Sequence, residues 1–338
     1  MEVTYLKKAY NFNLISNFRK KSLSQKIRRD LLKILILNPD QTEKINKLIS
    51  EFNFLTSQKY TKIDDIFYYS YDDDFSNFIC NKASFNQENN NPTMIANHIV
   101  NFFKRLNNKN IIFFLHGSHA DSMTSHYSDI DLSIFLRKSF LENLTQTRAD
   151  IYALNNFIKK YDLDSHHAIF LNFEDDKNYY PESFMPLSVL RKSITNAKGN
   201  SVDFQTRYSH DLTLDSFFNL SNHVLRLSKE LSDFNSINLK VILSEYFMII
   251  ILYEQFCNNH FMDKKTIFLD VLNNKDKLKK LSAFITCSNI REDWPKQNNL
   301  NIFGVSTFFI KNIVEDILYL NDEIKKSNNY KKVMKKIC

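Results

Sequence analysis

Two pairs of residues in one short stretch of the chain are suited to binding a metal-bound phosphate. Gly117 and Ser118 follow an apolar run, Ile111–Leu115, and Asp129 and Asp131 open a second apolar run. Glycine allows a sharp turn and a close approach of the backbone, and the amides and hydroxyl that follow can hold phosphate oxygens. Mg²⁺ is commonly bound by one or two carboxylates together with substrate phosphates. The stretch therefore predicts a site for a magnesium-bound phosphate compound.

Both apolar runs are short, rich in β-branched or aromatic residues and bounded by turn residues. This pattern predicts two strands joined by a tight turn and a short helix. Because strand side chains alternate, Asp129 and Asp131 should share one face while Ile130 and Leu132 point into the core. Two adjacent like charges are costly without a cation between them, so we expect both acids to ligate Mg²⁺ or Mn²⁺. The alternative is a surface hairpin whose acids have no function, since Asp-x-Asp alone is common.

This arrangement resembles the signature of the DNA polymerase β-type nucleotidyltransferase superfamily, over roughly residues 93–175. That signature is an apolar residue, Gly-Ser, a gap of about ten residues, then Asp-apolar-Asp-apolar. The matching residues are Gly117, Ser118, Asp129, Ile130, Asp131 and Leu132, with Ser128 before the first acid. The resemblance implies an α+β core, with a mixed sheet flanked by helices, followed by a helical domain. It also implies transfer of an NMP group from an NTP to an acceptor hydroxyl, with Asp129 and Asp131 holding the metal.

The third strand, predicted over Ser165–Phe173, departs from the family pattern. The resemblance implies an acid on this strand that accepts the proton of the attacking hydroxyl, but no acid lies in its middle. Asp164 could take this role if the strand begins early. His166 could replace it, because an imidazole with an unperturbed pKa of about 6.5 suits a general base. If neither residue serves, the chain would be an inactive module that binds a nucleotide or a protein partner.

Composition and pattern predict a globular chain with several parts. With 338 residues, of which 43% are hydrophobic, the chain can bury a substantial core. We expect an N-terminal helical region at 1–92, a nucleotidyltransferase core at 93–211, a C-terminal helical domain at 212–324 and a basic tail at 325–338. Two lysines at the start of a helix in the helical domain, Lys264 and Lys265, could reach the phosphates of the nucleotide.

The net charge and the spacing of the cysteines indicate which binding partners and which cellular compartment to expect. The last 14 residues hold six lysines and no acid, so the rest of the chain has a net charge of only +1. The resemblance implies an NTP and a small-molecule, protein or tRNA acceptor. The near-neutral body favours a small molecule or a protein over a long nucleic acid, and the tail could contact an anionic partner. The four cysteines form no CxxC pair, which favours reduced thiols in the cytoplasm. The longest apolar run, Tyr246–Tyr253, is too short to span a bilayer, so no membrane association is expected.

Overall fold

The described residues of the chain form two compact units. A computed structural model describes residues 17–69, 79–83, 92–120, 128–161, 169–181, 190, 193–196, 204–208, 210–229, 236–258, 264–293 and 302–337. The first unit holds the described residues up to 120, those in 128–181 and those in 190–208, and the second holds those from 210 onward.

The first unit contains both helices and strands. Its helices are α1 (Asn17–Leu37), α2 (Thr42–Thr56), α3 (Ile63–Phe67), α4 (Met94–Leu106) and α5 (Leu144–Ile158). Its strands are β1 (Ile79–Ala83), β2 (Ile111–His116), β3 (Asp131–Leu136), β4 (Phe170–Phe173), β5 (Tyr180–Pro181), β6 (Ile194–Thr195) and β7 (Phe204–Tyr208). Short 3₁₀ helices span Gly117–His119, Lys138–Asn143 and Glu174–Tyr179.

The central sheet is mixed, with strand order β4-β3-β2-β6. Strand β3 runs antiparallel to β2 and parallel to β4, and β6 is antiparallel to β2. A second sheet has the order β1-β7-β5. The expected α+β class, with a mixed sheet flanked by helices, is confirmed.

The edge strand β6 is short, and a side chain extends its pairing with β2. Residues Ile194 and Thr195 pair with Leu115 and Phe114. Beyond them, the Asn196 amide accepts a hydrogen bond from the Phe113 backbone N–H at 3.0 Å and donates one to the Ile111 carbonyl at 2.8 Å.

One hydrophobic core joins the three N-terminal helices to the central sheet. Buried residues of α1, α2 and α3 pack in the same cluster as α4, α5 and the inward side chains of β2, β3 and β4. Within this cluster the rings of Phe103 and Phe113 stack with centroids 4.1 Å apart. A buried ion pair adds to the packing, since Arg28 Nη2 lies 2.8 Å from Asp176 Oδ1. Helices that the sequence placed in the 1–92 region therefore build the core beneath the sheet.

The described elements of the second unit are all helices. They are α6 (His210–Leu227), α7 (Ser236–Asn258), α8 (Lys264–Asn273), α9 (Lys275–Lys280), α10 (Phe284–Asp293), α11 (Ile302–Lys326) and α12 (Asn328–Ile337). Helix α7 is largely buried against its neighbours, as its almost continuous apolar sequence predicts. In the described parts of both units, every helix is too short or too polar to cross a bilayer.

Most of the predicted basic tail is helix α12, which packs on the second unit. Val333 is buried in its core, and Asn329 Nδ2 donates to the carbonyl of Phe256 at 2.6 Å. Lys331, Lys332 and Lys335 remain exposed on the outer face of this helix. The lysine-rich segment is thus an amphipathic helix.

Candidate functional site

The turn after β2 brings the backbone of Gly117 against the carboxylate of Asp131. Gly117 has φ +72°, in the left-handed region that side chains other than glycine rarely adopt. A Cβ at this position would overlap Asp131 Oδ2 and lie 3.1 Å from Asp131 Cγ. The glycine is therefore needed both for its conformation and for the space that the carboxylate takes.

The two candidate metal ligands lie at and just before the start of β3, where Asp131 takes the face of the sheet opposite the main core. Ile130 and Leu132 are only 2% and 1% exposed, whereas Asp129 and Asp131 both keep partial exposure. The strand begins at Asp131, so Asp129 lies in the segment just before it. Asp131 lies directly opposite His116 in the antiparallel pair of β2 and β3. The end of β2, which leads into the Gly-Ser turn, and the start of β3 thus meet at one edge of the sheet.

His119, at the end of the 3₁₀ turn, connects the turn to two other segments. Its Nδ1 lies 3.1 Å from Thr93 Oγ1, and its Nε2 lies 3.3 Å from the carbonyl oxygen of Ser128. The Thr93 backbone N–H donates to the His119 carbonyl at 3.1 Å. Thr93 also caps α4, because its hydroxyl accepts from the Ala96 backbone N–H. These bonds hold the turn, the start of α4 and the residue before Asp129 together.

The partners of His119 also assign its tautomer. A carbonyl can only accept, so Nε2 carries the proton and donates to Ser128. In the neutral imidazole, Nδ1 then accepts from the Thr93 hydroxyl. Both ring nitrogens are used within the protein, so His119 acts by positioning the turn and the acids.

His116 is a second buried histidine beside the acids. Its Nε2 lies 3.0 Å from the hydroxyl of Ser133, which is also buried. Neither His116 nor His119 is among the residues that the sequence predicts for this site. The sequence does contain a feature that marks them as site residues, because they flank Gly117-Ser118 directly. In addition, a histidine at the end of an apolar strand needs a polar partner.

The candidate proton acceptors Asp164 and His166 lie outside the described residues. The part of the third strand that is described, Phe170–Phe173, runs parallel to β3 and contains no acid. Ser133 lies opposite Phe170, at the end of β4 nearer to Asp131. The first residue of β4, Phe170, therefore lies at the end of this strand that is nearer to Asp131.

Lys264 and Lys265 begin α8 in the second unit. Their side chains lie outside the described part of the structure, so their expected contact with phosphates remains a prediction.

The donor atoms near the turn suit a hard divalent cation that also binds phosphate. Two partly exposed carboxylates and the half-buried Ser118 offer oxygen ligands only. No group of three or more His, Cys, Asp or Glu side chains lies together within the described residues in a way that could hold a metal. A cation at Asp129 and Asp131 would need further ligands, and the phosphate oxygens of a substrate would supply them.

Comparisons of the chain with protein-family models, with curated proteins and with solved structures found no match. A function for the chain can therefore be proposed only from the geometry of the turn and the acids, together with the resemblance seen in the sequence.

Proposed function

We propose that the chain is a metal-dependent nucleotidyltransferase that moves an NMP group from an NTP to an acceptor hydroxyl. The observation that supports this most directly is the contact between the Gly117 backbone and the Asp131 carboxylate. It joins a turn suited to phosphate oxygens to an acid suited to a divalent cation. A nucleotide whose phosphates bind both groups would be held at the edge of the central sheet.

Each described residue near the turn would have a separate role in binding the nucleotide or the metal. Ser118 and the amides of its turn would bind the β- and γ-phosphates, while Asp129 and Asp131 would hold Mg²⁺ or Mn²⁺. His119 would keep the turn in place through Thr93 and Ser128. The bound cation would neutralise the negative charge that develops during in-line displacement.

In the proposed reaction the acceptor oxygen attacks the α-phosphorus and pyrophosphate leaves. The hydroxyl proton would pass to Asp164 or His166. The acceptor is a small molecule, a protein hydroxyl or a tRNA end. Because α-phosphorus transfer retains one phosphate on the product, an α-labelled NTP would mark the acceptor.

A second candidate is a nucleotide- or protein-binding module without catalysis. The observation that favours it is the lack of an acid in β4 as described, at Phe170–Phe173. Such a module would keep the Gly117 turn and both acids and would bind an NTP with a cation. It would transfer no label.

One experiment separates these two functions and identifies the acceptor. The protein is incubated with each α-³²P-labelled NTP, with Mg²⁺ or Mn²⁺, and with cell extract, and the label is then measured in RNA, protein and small molecules. We expect label in one fraction with wild type and with Asp40→Asn, an exposed acid outside the site, and none with Asp131→Asn. NTP binding without transfer would indicate the module. Equal transfer by Asp131→Asn would contradict the proposed role of this acid.

A further inference from the structure

An open groove lies between α4 and the end of α5 in the first unit. Its volume is about 640 Å³, and it is lined by His98, Asn101, Lys104, Arg105, Phe157 and Tyr161. Both helices pack on the central sheet through Ile99, Phe103, Ile151, Leu154 and Ile158, so the groove lies on a rigid support. None of the residues of the proposed catalytic site lines it.

Two aromatic rings, those of Phe157 and Tyr161, line the groove, and the ring of Phe102 stacks on Phe157. Phe102 and Phe157 stack with centroids 4.5 Å apart, and Tyr161 meets the edge of Phe157 at 5.4 Å. The Tyr161 hydroxyl lies 3.1 Å from His98 Nδ1, which fixes the orientation of the phenol ring. Tyr161 is 39% exposed, so part of its ring is open to a ligand. An aromatic ring held in this way offers a stacking surface to a planar base.

The charged side chains of the two described segments that carry these rings are all cations. Residues 92–109 and 151–161 contain no acid, and their exposed cations are Lys104, Arg105, Lys109, Lys159 and Lys160. The Arg105 guanidinium and the Lys160 ammonium each lie 5.9 Å from an aromatic centroid, those of Phe102 and Phe157. None of the five cations forms a salt bridge with a described acid. Although the body of the chain is nearly neutral overall, the described surface around this groove is therefore basic.

We propose that this groove binds a single-stranded nucleic acid. Sequence-tolerant binding of single strands combines a positive groove that follows the phosphates with aromatic side chains on which the bases stack. Both features are present here, and the groove is open to solvent along the two helices. The inference concerns binding alone, so it holds whether or not Asp129 and Asp131 support transfer.

The test measures fluorescence anisotropy of fluorescein-labelled oligo(rU) and oligo(dT), each about 12 nucleotides long, within the usual span of a binding site. Reversing two charges in the groove, with Lys104→Glu and Arg105→Glu together, should weaken binding at least about tenfold. The matched control reverses two exposed lysines on α12, Lys331→Glu and Lys335→Glu, and should change the Kd less than about twofold.

The aromatic contribution is tested separately. Tyr161→Ala should weaken binding by several-fold, whereas Tyr161→Phe, which keeps the ring, should bind like wild type. Melting temperatures verify that each variant is folded, and Lys104→Gln with Arg105→Gln replaces the charge reversal if that variant does not fold. Stronger binding of either oligo(rU) or oligo(dT) supports the proposal and shows whether the groove prefers ribose or deoxyribose.

Three results would overturn the proposal. The first is that wild type binds neither oligonucleotide. The α12 variant could lose as much affinity as the groove variant, which would show non-specific attraction. Tyr161→Ala could bind like wild type while heparin displaces both strands completely, which would indicate a site for polyanions without base stacking.

Discussion

The carboxylate of Asp131 occupies the space in which a side chain on residue 117 would place its Cβ. Residue 117 also has a left-handed backbone conformation, so two independent constraints require glycine there. The glycine and the acid are 14 positions apart, yet the carboxylate fits only because residue 117 has no side chain. This mutual fit can be tested by a double-mutant cycle.

Gly117→Ala should destabilise the protein by about 2 kcal/mol or more, through left-handed strain and overlap with Asp131. In an Asp131→Ala background the overlap disappears, and the cost of Gly117→Ala should fall to about 1 kcal/mol. Urea denaturation of the four proteins measures both values. The same cost in both backgrounds would show that the Asp131 carboxylate does not restrict residue 117.

Replacing Asp131 by Asn tests whether the acids are needed for binding the cation and nucleotide or for the stability of the fold. The change keeps the shape and removes one of two neighbouring charges, so without metal the variant should melt at the wild-type temperature or slightly higher. With Mg²⁺ and an NTP at a hundredfold excess over Kd, wild type should gain about 2.7 kcal/mol and the variant little. EDTA should abolish the wild-type gain. If Asp131→Asn unfolds the protein without ligand, the acid is a structural hydrogen-bond acceptor.

The contacts of His119 should make it important for stability as well as for nucleotide binding. His119→Ala removes bonds to Thr93 and Ser128 and should cost about 1–3 kcal/mol. Thr93→Ala removes the cap of α4 as well and should cost about 1 kcal/mol. Because the two residues share a bond, the double variant should lose less than the sum. His98→Ala, at an exposed histidine of α4, is the control, and additive losses would contradict the coupling.

The strands and the faces of this site could be predicted from the sequence, but the contacts that hold it could not. Alternation placed Ile130 and Leu132 inward, and the glycine marked the turn. His119 and Thr93 are 26 positions apart, and no local pattern indicates that they meet. The amphipathic pattern predicted the N-terminal helices, but an apolar face does not indicate which surface it will cover. Likewise, Val333 is one apolar residue among lysines, and only tertiary packing shows that it belongs to a core.

The buried pair of Arg28 and Asp176 joins α1 to the segment after β4, so breaking it should be costly. Asp176→Ala leaves a buried guanidinium without its carboxylate and should lose about 3–5 kcal/mol. Replacing both partners, with Arg28→Met and Asp176→Leu, should lose much less, because no buried charge remains. Glu323→Gln, which breaks an exposed pair with Lys326, should leave stability unchanged. A double variant as unstable as Asp176→Ala would contradict this account.

In the second unit, Asp316 should make stability depend on pH. Its Oδ2 accepts from the Tyr246 hydroxyl at 2.6 Å, and burial raises the pKa of Asp316 despite the hydrogen bonds it accepts. The folded protein therefore holds this proton more tightly than the unfolded chain, whose Asp has a pKa of about 3.9. The contribution of Asp316 is full below that pH and is lost as pH rises through the raised pKa.

Asp316→Asn cannot ionise, so the stability of wild type relative to this variant should fall as pH increases above about 4. Urea denaturation of both proteins across this range measures the difference. An advantage of wild type that grows with pH would mean that the hydrogen bonds from Tyr246, Ser282 and Ala283 outweigh burial and lower the pKa.

Asn196 has a consequence for association between copies of the chain. An unpaired N–H and C=O on an edge strand form a template on which another chain can add a strand. In β2 these two groups are the N–H of Phe113 and the C=O of Ile111, and the Asn196 side-chain amide bonds to both. A side chain adds no further backbone N–H or C=O with which another chain could pair at those positions. An aspartate in its place could accept from Phe113 but could not donate to the Ile111 carbonyl. One side-chain amide thus closes this part of β2 to intermolecular strand addition.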